Sequence, residues 1–190
     1  MTDLSRSALI LVDIQNDFLP GGALAVPDGD SILKAVNTLA RRPFRAVIAT
    51  QDWHPPHHCS FSAQGGLWPV HCVAGTHGAD FPEALLPEPV THIVRKGILQ
   101  ERDSYSGFLD NDRATSTGLD GLLKGLGIEH VVLCGLALDY CVTATALDAV
   151  QCGYRTDVVP EACRGIESDP NDALKKLEKQ GVWLKNANAF

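Results

Sequence analysis

Apolar residues fall into two patterns that alternate along the chain. The first is a short unbroken run, as in "ALILVDI" (Ala8 to Ile14), "AVIATQ" (Ala46 to Gln51) and "HVVLCGLA" (His130 to Ala137). Such runs predict strands buried on both faces, as in a parallel sheet. The second is helical spacing. In "PDGDSILKAVNTLARR" the apolar positions are Ile32, Leu33, Val36, Leu39 and Ala40, with Asp30 or Ser31 placed to cap the first turn. "LDGLLKGLG" (Leu119 to Gly127), "CVTATALDAVQCG" (Cys141 to Gly153) and "PNDALKKLEKQ" (Pro170 to Gln180) predict further helices. Further strands are expected in "HIVRKG" (His92 to Gly97), "YRTDVVPEA" (Tyr154 to Ala162) and "GVWLK" (Gly181 to Lys185). The alternation predicts an α/β chain, one three-layer αβα domain over residues 1–190, with a mainly parallel sheet of about six strands.

One stretch breaks the alternation. From Asp52 to Pro89 the chain is rich in Pro, Gly and His and has little periodicity. A loop of that length in a compact domain is usually functional.

Composition narrows the function. The chain has 190 residues, enough for one well-buried domain, with 45% hydrophobic and 21% charged residues, the balance of an ordinary soluble protein. A net charge of −7 and the lack of any basic run argue against nucleic-acid and membrane partners. No segment approaches the roughly 20 apolar residues of a membrane span, and the N-terminus has no small-residue cleavage pattern. The six cysteines are scattered rather than spaced as a framework, which predicts reduced thiols and a cytoplasmic location.

Right-handed crossovers bring the C-terminal ends of parallel strands to one edge, where ligands bind in open α/β sheets. Asp13, Asp52, Lys96 and Cys141 each fall at or just past such an end. Cys141 is expected in the first turn of its helix, where free N–H groups and the helix dipole lower a thiol pKa and favour a nucleophilic thiolate. By itself a cysteine in such a protein is more often a small buried hydrophobe. Lys96 at the same edge would lower the thiol pKa further; alone, it would read as a solvated lysine. Asp13 interrupts an apolar run, where a carboxylate needs a partner, as a base or as the cap of a loop. The backbone N–H groups of Ala137 and Cys141 are candidates for an oxyanion site.

The loop segments "TQDWHPPHHCSF" and "LWPVHC" hold Asp52, His54, His57, His58 and His71. A D-x-H pair at a strand end can aim both side chains at one point, and His71 can close the set. Two imidazoles and a carboxylate suit zinc or ferrous iron. The alternative is a polar loop whose histidines meet only water. His57 and His58 are open between a supporting and a substrate-facing role, and Ser60 is a candidate to act through water. Phe18 and Trp68 either pack in the core or sandwich a flat ring.

Taken together, "VDIQNDF", "PGG", "TQDWHP", "WPVHC", "RKG", "YSGF" and "GLALDYCVTATALDA" resemble the bacterial nicotinamidases of the pyrazinamidase type, within the isochorismatase-like cysteine hydrolases. The match runs in order from Ala8 to about Val159. The resemblance implies an amidase that converts nicotinamide to nicotinate and ammonia through a cysteine thioester, in NAD salvage. It implies a catalytic triad of Asp13, Lys96 and Cys141, and one divalent metal on Asp52, His54 and His71. Zinc is the first expectation for that metal, with iron or manganese as alternatives. It further implies stacking of the ring by Phe18 and Trp68, and a cis peptide between Leu136 and Ala137 that aims the Ala137 and Cys141 N–H groups at the oxyanion. Related pyridine or pyrazine carboxamides are expected substrates, and a homo-oligomer is compatible with the sequence. Some members carry another ligand eight residues past the D-x-H aspartate, where this chain has Ser60. Two rivals stand beside this reading. Other amide hydrolases of the superfamily generally lack the D-x-H metal set. A non-catalytic metal or thiol sensor would leave Asp13 and Lys96 unexplained.

Overall fold

A computed structural model of the chain describes residues 4–190. Its centre is a six-stranded sheet built from β1 (Ser7–Val12), β2 (Ala46–Asp52), β3 (His92–Lys96), β4 (His130–Leu136), β5 (Arg155–Arg164) and β6 (Trp183–Leu184). The order is β3-β2-β1-β4-β5-β6, and every pairing is parallel. Every residue of β1, β2 and β4 is buried, which is why these segments read as unbroken runs.

The helices are α1 (Leu33–Ala40), α2 (Leu119–Gly125), α3 (Thr143–Gln151) and α4 (Asn171–Lys179). The crossover through α1 runs across the sheet in the opposite direction to those through α2, α3 and α4, so the right-handed rule puts α1 on one face and the other three on the opposite face; α3 and α4 pack together. This is the three-layer architecture expected. No helix among the described residues is long and apolar enough to cross a membrane.

Two local expectations change. The helix after β1 opens with a 3-10 turn, Gly29–Ile32, and no side chain caps it; Ser31 Oγ instead donates to the Asp28 carbonyl at 2.6 Å. Cys141 does not open an α-helix. It lies in one turn of π-helix, Leu138–Val142, that precedes α3. Such turns often mark functional positions.

The chain lays β2 and β3 on one side of β1 and β4 on the other, so the strand order reverses between β1 and β4. The crevice past their C-terminal ends is the position where such sheets bind ligands. Gly135 of β4 pairs with Val12 at φ +129°, and a Cβ there would run into the Val12 backbone. Its bare backbone lets β4 close on β1 one residue before Asp13.

Candidate active site

Four segments deliver the site. Asp13 follows β1 with φ +47°, a left-handed turn that aspartate tolerates better than most residues. Asp52 and Lys96 are the last residues of β2 and β3 and lie opposite each other in register. Lys96 is on the outermost strand, and its buried side chain runs over the strand ends towards β1. There Nζ lies 2.5 Å from Asp52 Oδ1, 2.9 Å from Asp13 Oδ2, 2.7 Å from the Ser104 carbonyl and 3.6 Å from Cys141 Sγ. The structure thus brings Asp13, Lys96 and Cys141 together, with Asp52 beside them.

The electrostatics follow from one cation among two carboxylates and a thiol. Burial disfavours the Lys96 charge, but Asp13 and Asp52 outweigh it and hold its pKa well above the ordinary value. At Asp52 burial also works against ionisation; Lys96 and then His54 override it and hold the carboxyl below its usual range. At Asp13 burial wins over Lys96, and the carboxyl is raised. The expectation of a depressed Cys141 thiol does not hold: burial pushes its pKa well up, and the two carboxylates offset the pull of Lys96. The resting group is therefore a thiol facing a basic carboxylate.

The aperiodic loop after β2 is fastened by two isolated parallel bridges, His54 to Val73 and Phe61 to Trp68. Asp17 adds a clamp: its Oδ2 accepts the Cys72 N–H at 2.7 Å. These ties carry His71 beside His54, with ring centroids 4.9 Å apart. Each ring is oriented by its Nδ1, His54 on the Gly97 carbonyl at 2.9 Å and His71 on the Pro69 carbonyl at 2.8 Å. A Cβ at Gly97 would strike the His54 ring, so glycine is required there. Both Nε2 atoms are left to face Asp52, and His54 Nε2 is buried without a hydrogen-bond partner. The ligand atoms of Asp52, His54 and His71 lie within 4.8 Å of one another. An orphaned imidazole nitrogen beside a carboxylate and a second imidazole fits a divalent metal.

His58 stacks on His54 at 4.0 Å, but both its nitrogens are engaged, Nδ1 with Ser60 Oγ at 2.7 Å and Nε2 with the Arg102 carbonyl at 2.9 Å. It braces the His54 ring, and Ser60 in turn holds His58. His57 is exposed.

A pocket opens beside this group. Asp52, His71 and Cys141 reach its wall, and Phe18, Trp68 and Ala137 line it. The Leu136–Ala137 peptide is cis. Sequence reasoning missed Tyr105 and Tyr140 as wall residues, although both lie in segments quoted above. Trp68 Nε1 donates to Tyr105 Oη at 3.1 Å, and the Trp68 ring meets Tyr140 edge-on at 5.2 Å. Gln15 was missed as well. Its buried side chain accepts the Asp52 N–H at 2.8 Å and donates to the Asp52 carbonyl at 2.8 Å and the Ala79 carbonyl at 2.9 Å. It pins the backbone that carries Asp52.

The sequence and the fold match known proteins along most of the chain. The model of the isochorismatase domain matches residues 7–188. A nicotinamidase of Escherichia coli (strain K12) is 42% identical over 198 residues, covering 93% of each chain. A protein of L. infantum solved in complex with nicotinate superposes with a TM-score of 0.96 at 38% identity, over 100% of this chain and 96% of that one. The pyrazinamidase of Pyrococcus horikoshii, solved in complex with zinc, gives a TM-score of 0.87 at 41% identity, over 95% and 99% of the two chains. A family model that spans most of the chain and 42% identity to a nicotinamidase over 93% of both chains decide the family: the chain belongs to the isochorismatase family, on its nicotinamidase branch.

Proposed function

We propose that the chain is one hydrolase domain that cleaves nicotinamide to nicotinate and ammonia, using Cys141 as nucleophile, Asp13 as base and then acid, and Lys96 as the charge that holds them together. The observation that carries this reading is the position of Lys96 Nζ, within reach of Asp13, Asp52 and Cys141 at once. The same pocket wall holds Asp52 and His71 of the metal-fitting set.

The chemistry follows from the protonation states. A thiol raised by burial is a poor nucleophile until a base takes its proton. Asp13 receives that proton as Cys141 Sγ bonds to the carboxamide carbon. The carbonyl oxygen becomes an oxyanion, for which the Ala137 and Cys141 N–H groups are the proposed donors. Asp13 returns the proton to the amide nitrogen, the C–N bond breaks and ammonia leaves. Water then attacks the thioester and gives one proton to Asp13. The C–S bond breaks, and Asp13 passes that proton to the leaving sulfur to restore the thiol. The acid formed releases its remaining proton to solvent as nicotinate. The buried Lys96 stays charged throughout and offsets whichever of Asp13 and Cys141 carries the negative charge.

Asp52, His54 and His71 would hold one divalent ion, which when bound supplies a Lewis acid for the ring nitrogen lone pair. Zinc is the proposed metal, with iron or manganese able to take the same donors. Phe18 and Trp68 are proposed to flank the ring. The six cysteines are all unpaired, which suits a reducing cytoplasm.

The test is ammonia release from nicotinamide by the purified protein, before and after exhaustive chelation. Release that falls on chelation and returns with zinc supports the reading. No release from the metal-loaded protein overturns it, and release unaffected by complete metal removal removes the metal from it.

A further inference from the structure

We propose that Thr50 is a positioning residue for Asp13, its hydroxyl fixing which carboxylate oxygen faces the thiol. The inference rests on the role given to Asp13 above. Thr50 is fully buried in β2, two residues before Asp52 and therefore on the same face of the sheet. Its Oγ1 accepts the Asp13 backbone N–H at 3.1 Å and donates to Asp13 Oδ1 at 2.6 Å.

A hydroxyl has one proton to donate. Oδ1 of an ionised carboxylate can only accept, so that proton is committed to Oδ1. One hydroxyl therefore grips both ends of the same residue, main chain and carboxylate. Oδ2 is left over, 2.9 Å from Lys96 Nζ, the ammonium that also meets Cys141 Sγ at 3.6 Å, and a carboxylate oxygen of Asp13 lies within 4.8 Å of that sulfur. The Thr50 rotamer is itself held: β-branched side chains have few χ1 choices, and the Thr50 methyl lies so close to Gly107 that a Cβ there would come within 3.1 Å of it. Asp13 follows a strand end in a left-handed backbone turn, so nothing in the ladder itself fixes its side chain. This is the logic of a nucleophile and base whose base is oriented by a further group.

The experiment compares wild type, Thr50→Val and Thr50→Ser, each metal-loaded, by steady-state ammonia release from nicotinamide, thermal melting and a crystal structure of Thr50→Val. Valine keeps the shape and removes the hydroxyl; serine keeps the hydroxyl. The expected result is a kcat lower by about 10–100-fold in Thr50→Val, with KM within about twofold and recovery to within a few-fold in Thr50→Ser. In the Thr50→Val structure the Asp13 carboxylate should be turned away from its wild-type orientation. A Thr50→Val enzyme with wild-type kcat per folded molecule, whatever its melting temperature, overturns the proposal. So does an Asp13 carboxylate that keeps its orientation without the hydroxyl. If the wild type itself releases no ammonia, the nicotinamidase reading fails while the crystal structure still decides whether Thr50 orients Asp13.

Discussion

The Lys96 ammonium stands 3.6 Å from the Cys141 sulfur and 2.5 Å from Asp52 Oδ1. One buried cation therefore couples the two halves of the site, the thiol–carboxylate pair and the metal-fitting set. It also sits among more negative than positive charge, so its removal leaves two buried carboxylates without their counter-ion. Lys96→Met should lower kcat by about 10²–10³-fold, the range for loss of one preorganised electrostatic partner. It should also destabilise the fold by about 3–5 kcal/mol, because buried charges lose their counter-ion. Ammonia release and urea unfolding measure the two effects. A variant that is destabilised but keeps wild-type turnover would reduce Lys96 to a structural role.

Cys141 is buried at the mouth of α3, with Thr145 Oγ1 bonded to its carbonyl at 2.7 Å, so its main chain is fixed independently of the sulfur. Cys141→Ala should abolish ammonia release and cost only about 1 kcal/mol of stability, as expected for a small buried truncation. Nicotinamide binding by calorimetry should persist, since the ring-facing wall is untouched. Appreciable residual turnover would remove the sulfur as nucleophile.

Much of this was legible in the sequence, for physical reasons. β1 and β4 are covered on both faces, so they read as unbroken apolar runs. Asp13, Asp52 and Lys96 are chemically able residues at strand ends, and parallel topology carries strand ends to one edge. What escaped was of a different kind. Spacing places Cys141 near a helix start but does not reveal how deeply the sulfur is buried or that two carboxylates face it, so the direction of its pKa was misjudged. The loop that delivers His71 has no period to read because single bridges hold it, His54 to Val73 and Phe61 to Trp68. Gln15 and Thr50 act on a neighbouring strand's backbone or carboxylate, and nothing in a one-dimensional pattern marks that. His58, open from sequence between a supporting and a substrate-facing role, has both nitrogens occupied inside the protein.

His71 is oriented by the Pro69 carbonyl through Nδ1, leaving Nε2 for a metal. His71→Ala should weaken zinc binding by more than about 100-fold, beyond what loss of a merely supporting group costs. Elemental analysis after desalting, together with a competition titration, gives the number. His57→Ala is the control, since that side chain is exposed and should leave metal content unchanged. Wild-type zinc stoichiometry and affinity in His71→Ala would take His71 out of the ligand set.

Gln15 offers a separate test of how the end of β2 is held. Its amide satisfies the N–H and the carbonyl of Asp52, while the Ala79 carbonyl it also meets has a second donor in Gln51 Nε2 at 2.8 Å. Gln15→Leu is close in shape and would strand the two Asp52 main-chain groups in the interior. Each such group costs about 1–3 kcal/mol, so a loss of about 2–6 kcal/mol is expected in urea unfolding. The Asp52 carboxylate sits between Lys96 and the imidazoles, so a shift of its backbone should also weaken zinc binding. Strand pairing alone predicts the opposite: Asp52 is already in register with Lys96, and an unchanged unfolding midpoint with unchanged zinc affinity would show that the ladder suffices to hold it.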